Sequence, residues 1–201
     1  MSAWAATVGS EIITVAEIDA REREIRAGGN RHALPRPGTS EARQLRRWLT
    51  QVLVAERVVA GAAPGASAGP VPAEVEILPD TVARMEVGSV AAATLADRRG
   101  RAVYATVTAG VQITDAEVAA YHARNPLRFC RAGSRPGGWS GPPAAADVDA
   151  VRTEIATHLL AAARRREYRR WLDAQCARIA VLAEGYEHPG DPRQPDNTHR
   201  H

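Results

Sequence analysis

The hydrophobic pattern of the chain is helical over most of its length and strand-like only near its two ends. Residues 3–8 and 179–182 are short apolar runs of the kind that favours β-strands. Because an isolated strand leaves backbone groups unpaired, we expect these two runs to pair with each other. The pattern therefore predicts a mainly α fold with one small two-stranded sheet that joins the N-terminal strand to a strand near the C-terminus.

Two capping boxes mark the starts of predicted helices. Thr14 and Glu17 form the first box, Thr114 and Glu117 form the second, and apolar residues flank both at staple positions. The first helix is predicted to end near residue 27, where Gly28 begins a loop. Further helices are predicted over residues 40–61, within 74–109, from residue 114 and from residue 147.

The predicted helices and loops define two regions of the chain. Residues 1–184 are expected to form one helical domain with loops at 28–39, 61–73 and 130–146. Within the short helices of residues 74–109, breaks are expected near Gly88 and at Gly100. Residues 185–201 form a tail rich in proline and histidine. Its prolines recur every three residues, which predicts an extended segment ordered against the body.

Composition excludes several kinds of chemistry. All 26 basic Lys and Arg positions are arginine, so a lysine Schiff base and a P-loop lysine are excluded, and no nucleotide cofactor is expected. The net charge is only +3, and the basic run 164–170 is predicted to be a solvated helix face, so nucleic acid is not the expected partner. No apolar run predicts a membrane span. Two cysteines and the absence of a secretory signal favour a cytoplasmic protein.

Three segments resemble the SurA-type chaperones and parvulin-linked foldases. The run Val8-Gly9-Ser10-Glu11-Ile12-Ile13-Thr14 is similar to the turn that opens their N-terminal part. Residues 113–129 resemble the segment that precedes their isomerase domain, and residues 151–182 resemble the helix and strand that follow it. The resemblance implies a helical chaperone-type body that binds apolar segments.

The isomerase domain of that family has no counterpart in this chain. The resemblance places it between the last two segments, where only residues 130–146 are available, and these are too few for an α/β domain. We therefore expect no prolyl isomerase activity.

The tail resembles small actinobacterial proteins labelled malonyl-CoA–acyl-carrier-protein transacylases, some of them in natural-product gene clusters. Transacylase chemistry needs a serine elbow, a partner histidine and a much longer α/β chain. The match to G-x-S-x-G at residues 65–69 lies in an Ala/Gly/Pro linker, without the strand and helix that an elbow requires.

The tail also carries the candidate metal ligands. Imidazole and carboxylate groups together suit a divalent transition metal such as Zn²⁺, Fe²⁺, Ni²⁺ or Mn²⁺. The candidate ligands in this chain are His188, Asp191, Asp196, His199 and His201. The alternative is a polar tail with no metal site.

Other side chains are candidates for catalysis or ligand binding. His199, His201 and His122 are the candidate acid–base residues, since imidazole titrates near neutral pH. His158, beside the apolar stripe of the last helix, is a weaker candidate of the same kind. The large side chains expected to line a ligand groove are Trp48, Tyr104, Tyr121 and Trp139.

Two functions compete on these observations. The first is a SurA-like binding protein that holds an apolar peptide segment or a small ligand in a helical groove. The second is a metal-dependent or acid–base enzyme of natural-product biosynthesis that uses the histidine-rich tail.

Overall fold

The mainly helical fold is confirmed by a computed structural model, which describes residues 4–29, 31–63, 69–125, 128–129 and 147–191. Three strands and eight α-helices occur within these ranges, together with a 3₁₀ turn at Arg31–Ala33. In chain order the elements are β1 Trp4–Val8, β2 Glu11–Thr14, α1 Val15–Ala27, α2 Ser40–Ala62, α3 Glu74–Ile77, α4 Thr81–Val87, α5 Ser89–Leu95, α6 Arg98–Val107, α7 Asp115–Arg124, α8 Val148–Ile179 and β3 Ala180–Leu182.

The predicted pairing of the N-terminal strand with the strand near the C-terminus is confirmed. β1 lies at the centre of an antiparallel sheet with the order β2-β1-β3, and Thr7 pairs with Val181 of β3. The pattern did not predict β2, which pairs with β1 through a two-residue turn at Gly9 and Ser10. Gly9 has a φ of +58°, a conformation that glycine adopts without steric cost and that such tight hairpins require.

The helix starts agree with the capping predictions. The Thr14 hydroxyl accepts a hydrogen bond from the Glu17 backbone N–H at 3.2 Å, and the Glu17 carboxylate accepts one from the Thr14 N–H at 2.8 Å. The hydrogen bond from the Thr14 backbone is the main reason why the pKa of Glu17 is lowered. Thr114 and Glu117 form the same reciprocal pair at α7. Local sequence therefore determines where both helices begin.

The predicted break at Gly100 is wrong. Gly88 does separate α4 from α5, but Gly100 lies inside α6. A Cβ atom on Gly100 would lie 1.8 Å from the backbone oxygen of Thr94, so this glycine allows α6 to pack closely against the end of α5.

The main hydrophobic core lies between the sheet, α2, α5, α6 and α8. Tyr168 of α8 is fully buried in it, and its ring meets that of Tyr104 edge-on at a centroid distance of 5.4 Å. Its hydroxyl is 2.7 Å from the Thr94 hydroxyl, and burial raises the pKa of Tyr168 to about 12. A second cluster, centred on Val118 and Ile155, joins α7 to α8.

The basic run 164–170 is not entirely a solvated face, as the sequence had suggested. Arg165 is only 6% exposed, and its guanidinium donates hydrogen bonds to the Glu86 carboxylate at 2.8 and 2.7 Å. It also donates to the backbone oxygen of Ile77 at 3.2 Å. Buried charges are tolerated when they are paired in this way, and this pair ties α8 to α3 and α4.

No helix in the described ranges is both long enough and apolar enough to cross a membrane.

Candidate functional site

A groove of about 750 Å³ runs along one side of α2. Trp48, Val52, Glu56 and Ala60 follow one another at four-residue spacing, which places them on a single face of the helix. Other apolar residues of α2, such as Val54 and Val58, face the main core instead. The helix therefore separates the core from a second, partly open apolar surface, which we call the α2 groove.

Small residues on the opposite wall leave room for the groove. Ala93 and Thr94 of α5, Ala96 after it, and Gly100 of α6 face α2 across the gap. Leu49, Val52 and Val59 are buried and close the floor. Because the α5 residues that line the groove have small side chains, the space remains unfilled. Its volume lies in the range of ligand-binding pockets, about 300–1,000 Å³.

Ion pairs hold the rim of the α2 groove in place. The Arg21 guanidinium of α1 donates to both oxygens of Glu56 on α2, at 2.7 and 2.5 Å. Arg57 pairs with Glu17 at 2.5 Å and with Glu11 at 3.3 Å. These charge-assisted contacts link α1 and β2 to α2 on this side of the groove.

Trp48 lies where the α2 groove meets a second groove of about 600 Å³. Its indole N–H donates to the Ser89 hydroxyl at 3.0 Å, which fixes the ring against the start of α5. We call the second groove the Met85 groove, and its lining residues are Trp48, Glu74, Thr81, Arg84, Met85, Gly88, Ser89, Ala92, Ala93 and Ala96. The expectation that Trp48 lines a groove therefore agrees with its position.

Exposed apolar side chains lie on α3 and α4, the elements that supply part of the lining of the Met85 groove. Met85 is 75% exposed, and Val82, one turn before it on α4, is also largely exposed. Val75 of α3 is exposed as well. Adjacent exposed apolar side chains are more common at interaction sites than elsewhere on protein surfaces, and methionine adapts its shape to different partners.

The other two described aromatic candidates lie elsewhere. Tyr104 is buried in the main core against Tyr168 and lines neither groove. Tyr121 of α7 instead pairs with His158 of α8, its hydroxyl lying 3.1 Å from Nε2. Arg128 lies over the Tyr121 ring at 5.9 Å. Trp139, the fourth candidate, lies outside the described residues.

Tyr121 and His158 form a hydrogen-bonded pair between α7 and α8. Partial burial lowers the pKa of His158, and the nearby Arg128 charge lowers it further. At Nε2 a neutral imidazole donates or accepts this hydrogen bond according to its tautomer, so the pair joins α7 to α8 at neutral pH. The candidate catalytic residue His122 lies one position farther along α7 and is half-buried in its last turn.

The described part of the tail is held against the body. Arg47 donates to the Gly185 backbone oxygen at 3.3 Å, and Tyr186 packs beside the small cluster of Ala5, Ile18 and Leu49. His188 is exposed, and its Nδ1 accepts a hydrogen bond from the Gly190 N–H at 3.0 Å. The contacts of Gly185 and Tyr186 agree with the expected attachment of the tail at its start.

The proposed metal ligands are only partly within the described chain. His188 and Asp191 lie on either side of a turn, closed by a hydrogen bond of 2.9 Å from the Asp191 N–H to the His188 oxygen. Asp196, His199 and His201 lie outside the described residues. Within the described ranges, no group of three or more potential ligands is close enough to hold a metal ion.

Burial raises the pKa of the Cys176 thiol to about 11, so this residue remains a neutral thiol near pH 7. Cys176 lies against the main core. Cys130, the other cysteine, lies outside the described residues. Cys176 is thus a packing residue, since nucleophilic cysteines have lowered pKa values.

Sequence reasoning found Trp48 but missed the walls of the grooves. The missed features are the Arg21–Glu56 ion pair and the small residues Ala93 and Ala96. The run of three alanines at residues 91–93 of α5 was the available signal. This alanine run matters because it faces Trp48, and only the tertiary structure shows that the two face each other.

Comparison with known proteins adds a partial family match. The model of DUF7158, described as a family of unknown function, matches residues 4–41. This stretch covers β1, β2 and α1 and ends at the start of α2. No curated protein and no solved structure matches the chain.

Proposed function

We propose that the chain is a chaperone-type binding protein that holds an apolar peptide segment in the α2 groove and the adjoining Met85 groove. The observation that carries the proposal is the continuity of the two grooves. Trp48, Ala93 and Ala96 line both, so one apolar track passes from α1 and α2 to the exposed surface of α4.

The length of the track suits a peptide better than a compact small molecule. From Trp48 to Ala60 the lining stripe spans 12 residues of helix, or about 18 Å at 1.5 Å per residue. An extended peptide rises about 3.3 Å per residue, so five or six residues would occupy the α2 groove alone. The Met85 groove would accommodate further side chains.

The chemistry of the track also favours an apolar segment. Five of its accessible lining residues carry no charge, namely Ile25, Trp48, Ala60, Ala93 and Ala96. The charges of Arg21 and Glu56 at the rim neutralise each other. A partner would therefore gain mainly from the removal of apolar surface from water, at about 25 cal/mol per Å² before the costs of association.

The resemblance to SurA-type chaperones supports the same function. It rests on residues 8–14, 113–129 and 151–182, and it implies a helical body that grips apolar segments. As residues 130–146 are too few for a parvulin domain, binding is proposed to occur without prolyl isomerase activity. A protease-coupled proline isomerisation assay is expected to show the uncatalysed rate, and clear acceleration would contradict this part of the proposal.

The binding test uses a fluorescein-labelled six-residue peptide of leucine and valine, measured by fluorescence anisotropy. Ala60→Glu places a charge in the α2 groove from an exposed helical position, so the fold is preserved. Ala174→Glu is the matched control, since Ala174 is an exposed position of α8 that lines neither groove. We expect Ala60→Glu to weaken peptide binding at least tenfold, because desolvating a charge costs more than about 1.4 kcal/mol.

Three outcomes would overturn the proposal. In the first, the peptide does not bind the wild-type protein. In the second, it binds the two variants equally well. In the third, an aliphatic alcohol of similar apolar area binds while the peptide does not, and the groove then belongs to a small ligand. Circular dichroism of both variants verifies that the helices are intact.

A further inference from the structure

We propose that the peptide held in the α2 groove carries an acidic group beside its apolar segment, and that Arg99 binds this group. The inference rests on the proposed function and specifies the partner that the groove selects. Of the ionisable residues that line the groove in the described part of the chain, every one but Arg99 has its side chain engaged in a contact within the fold.

The cations on the α1 and α2 sides are already paired. Arg21 contacts both Glu56, at 2.7 Å, and Glu24, at 3.7 Å. Arg57 contacts Glu17 and Glu11. The positive charges of both arginines are therefore already balanced by carboxylates within the fold.

The acidic group at the α6 end is engaged as well. Asp97 is the N-cap of α6, and its carboxylate accepts a hydrogen bond from the Arg99 backbone N–H at 2.6 Å. Loss of this cap would cost the helix about 1 kcal/mol, so Asp97 is held in its structural role.

Arg99 is the exception. It lines the α2 groove beside Gly100, its side chain is exposed, and its guanidinium has no hydrogen bond or ion pair with any of the residues described. Guanidinium binds a carboxylate through two parallel hydrogen bonds, which neither a hydroxyl nor an amide can reproduce. An apolar groove with one available cation among its lining residues complements an apolar segment that carries a carboxylate beside it.

Arg98 provides a matched control for this assignment. It precedes Arg99 on the same helix and is also exposed, but it does not line the groove. Arg98→Gln and Arg99→Gln change the net charge of the protein equally. A general effect of charge on binding would therefore be the same in both variants, whereas a direct contact would be lost in only one.

The experiment compares labelled leucine/valine peptides that end in Asp, Asn or Lys, each with an amidated C-terminus. In wild-type protein we expect the Asp peptide to bind about three- to fivefold more tightly than the Asn peptide, as is typical of an exposed ion pair. The Lys peptide is expected to bind most weakly. Arg99→Gln should abolish the preference for Asp over Asn, and Arg98→Gln should retain it.

The results separate this inference from the proposed function. Equal binding of the Asp and Asn peptides to wild-type protein, both still weakened by Ala60→Glu, overturns the role of Arg99 and leaves the apolar groove intact. Loss of the preference in both arginine variants also overturns it, because the effect then comes from net charge. Failure of all peptides to bind overturns the proposed function itself, and this inference with it.

Discussion

The substitution Gly100→Ala tests how closely α6 packs against α5. In an ordinary helix interior, replacing glycine by alanine stabilises the protein by up to about 1 kcal/mol, because alanine restricts the unfolded chain. At Gly100 the new Cβ atom would lie 1.8 Å from the Thr94 oxygen and 2.7 Å from its carbonyl carbon. Carbon and oxygen atoms approach to about 3.3 Å, so the backbone of α5 would have to move by about 1.5 Å.

Gly100→Ala is therefore expected to destabilise the protein, although helix propensity alone predicts that it stabilises it. Overpacking usually costs about 1–3 kcal/mol, and the upper part of that range applies because the opposing atoms are backbone atoms that cannot rotate away. After subtraction of the gain in propensity, we expect a net loss of about 2 kcal/mol. For a chain of this size, that loss lowers Tm by about 4–8 °C.

Urea denaturation followed by circular dichroism measures the change in the free energy of unfolding. Gly61→Ala is the control, since Gly61 also lies in a helix but has no atom within 4 Å of the position of a Cβ atom. This control is expected to be neutral or to stabilise the protein by about 0.5 kcal/mol. If Gly100→Ala proves as stable as the wild type, the close approach of α6 to Thr94 is refuted.

Two further predictions concern buried polar contacts. Because the Thr94 hydroxyl donates to the Ala91 oxygen at 2.7 Å, Tyr168 must donate to Thr94, and Tyr168→Phe is expected to cost about 1 kcal/mol in urea denaturation. Tyr104→Phe, which removes a hydroxyl without a hydrogen bond to any described residue, should cost less, and equal losses would contradict this assignment. The pKa of His158 is below its ordinary value of 6.5, so the unfolded chain binds the proton more readily. The contribution of His158 to the free energy of unfolding is therefore complete above pH 6.5 and decreases as the pH falls toward the lower pKa of the folded state. The free energy of unfolding of His158→Gln should decrease less than that of the wild type between pH 7 and 5. Identical slopes for the two proteins would contradict this prediction.

The sequence alone determined the elements that depend on local chemistry. The capping boxes at Thr14 and Thr114 satisfy backbone groups within a single turn, so four residues suffice to identify a helix start. The long apolar period of α8 identified that helix, and the two apolar ends predicted the β1–β3 pairing because unpaired strands are costly. The sheet partner β2 was missed because its residues overlap with the first capping box and its staple.

The features that define the site depend on contacts between distant parts of the chain. Gly100 resembled a helix break until Thr94 was found 1.8 Å from the position of its missing Cβ atom. The run of charges around Arg165 resembled a solvated face, yet Glu86, 79 residues away, pairs with it in the interior. The α2 groove exists because Trp48 faces small residues of α5. Local sequence determines how a segment folds, but which side chains meet across a gap is decided only when the helices pack.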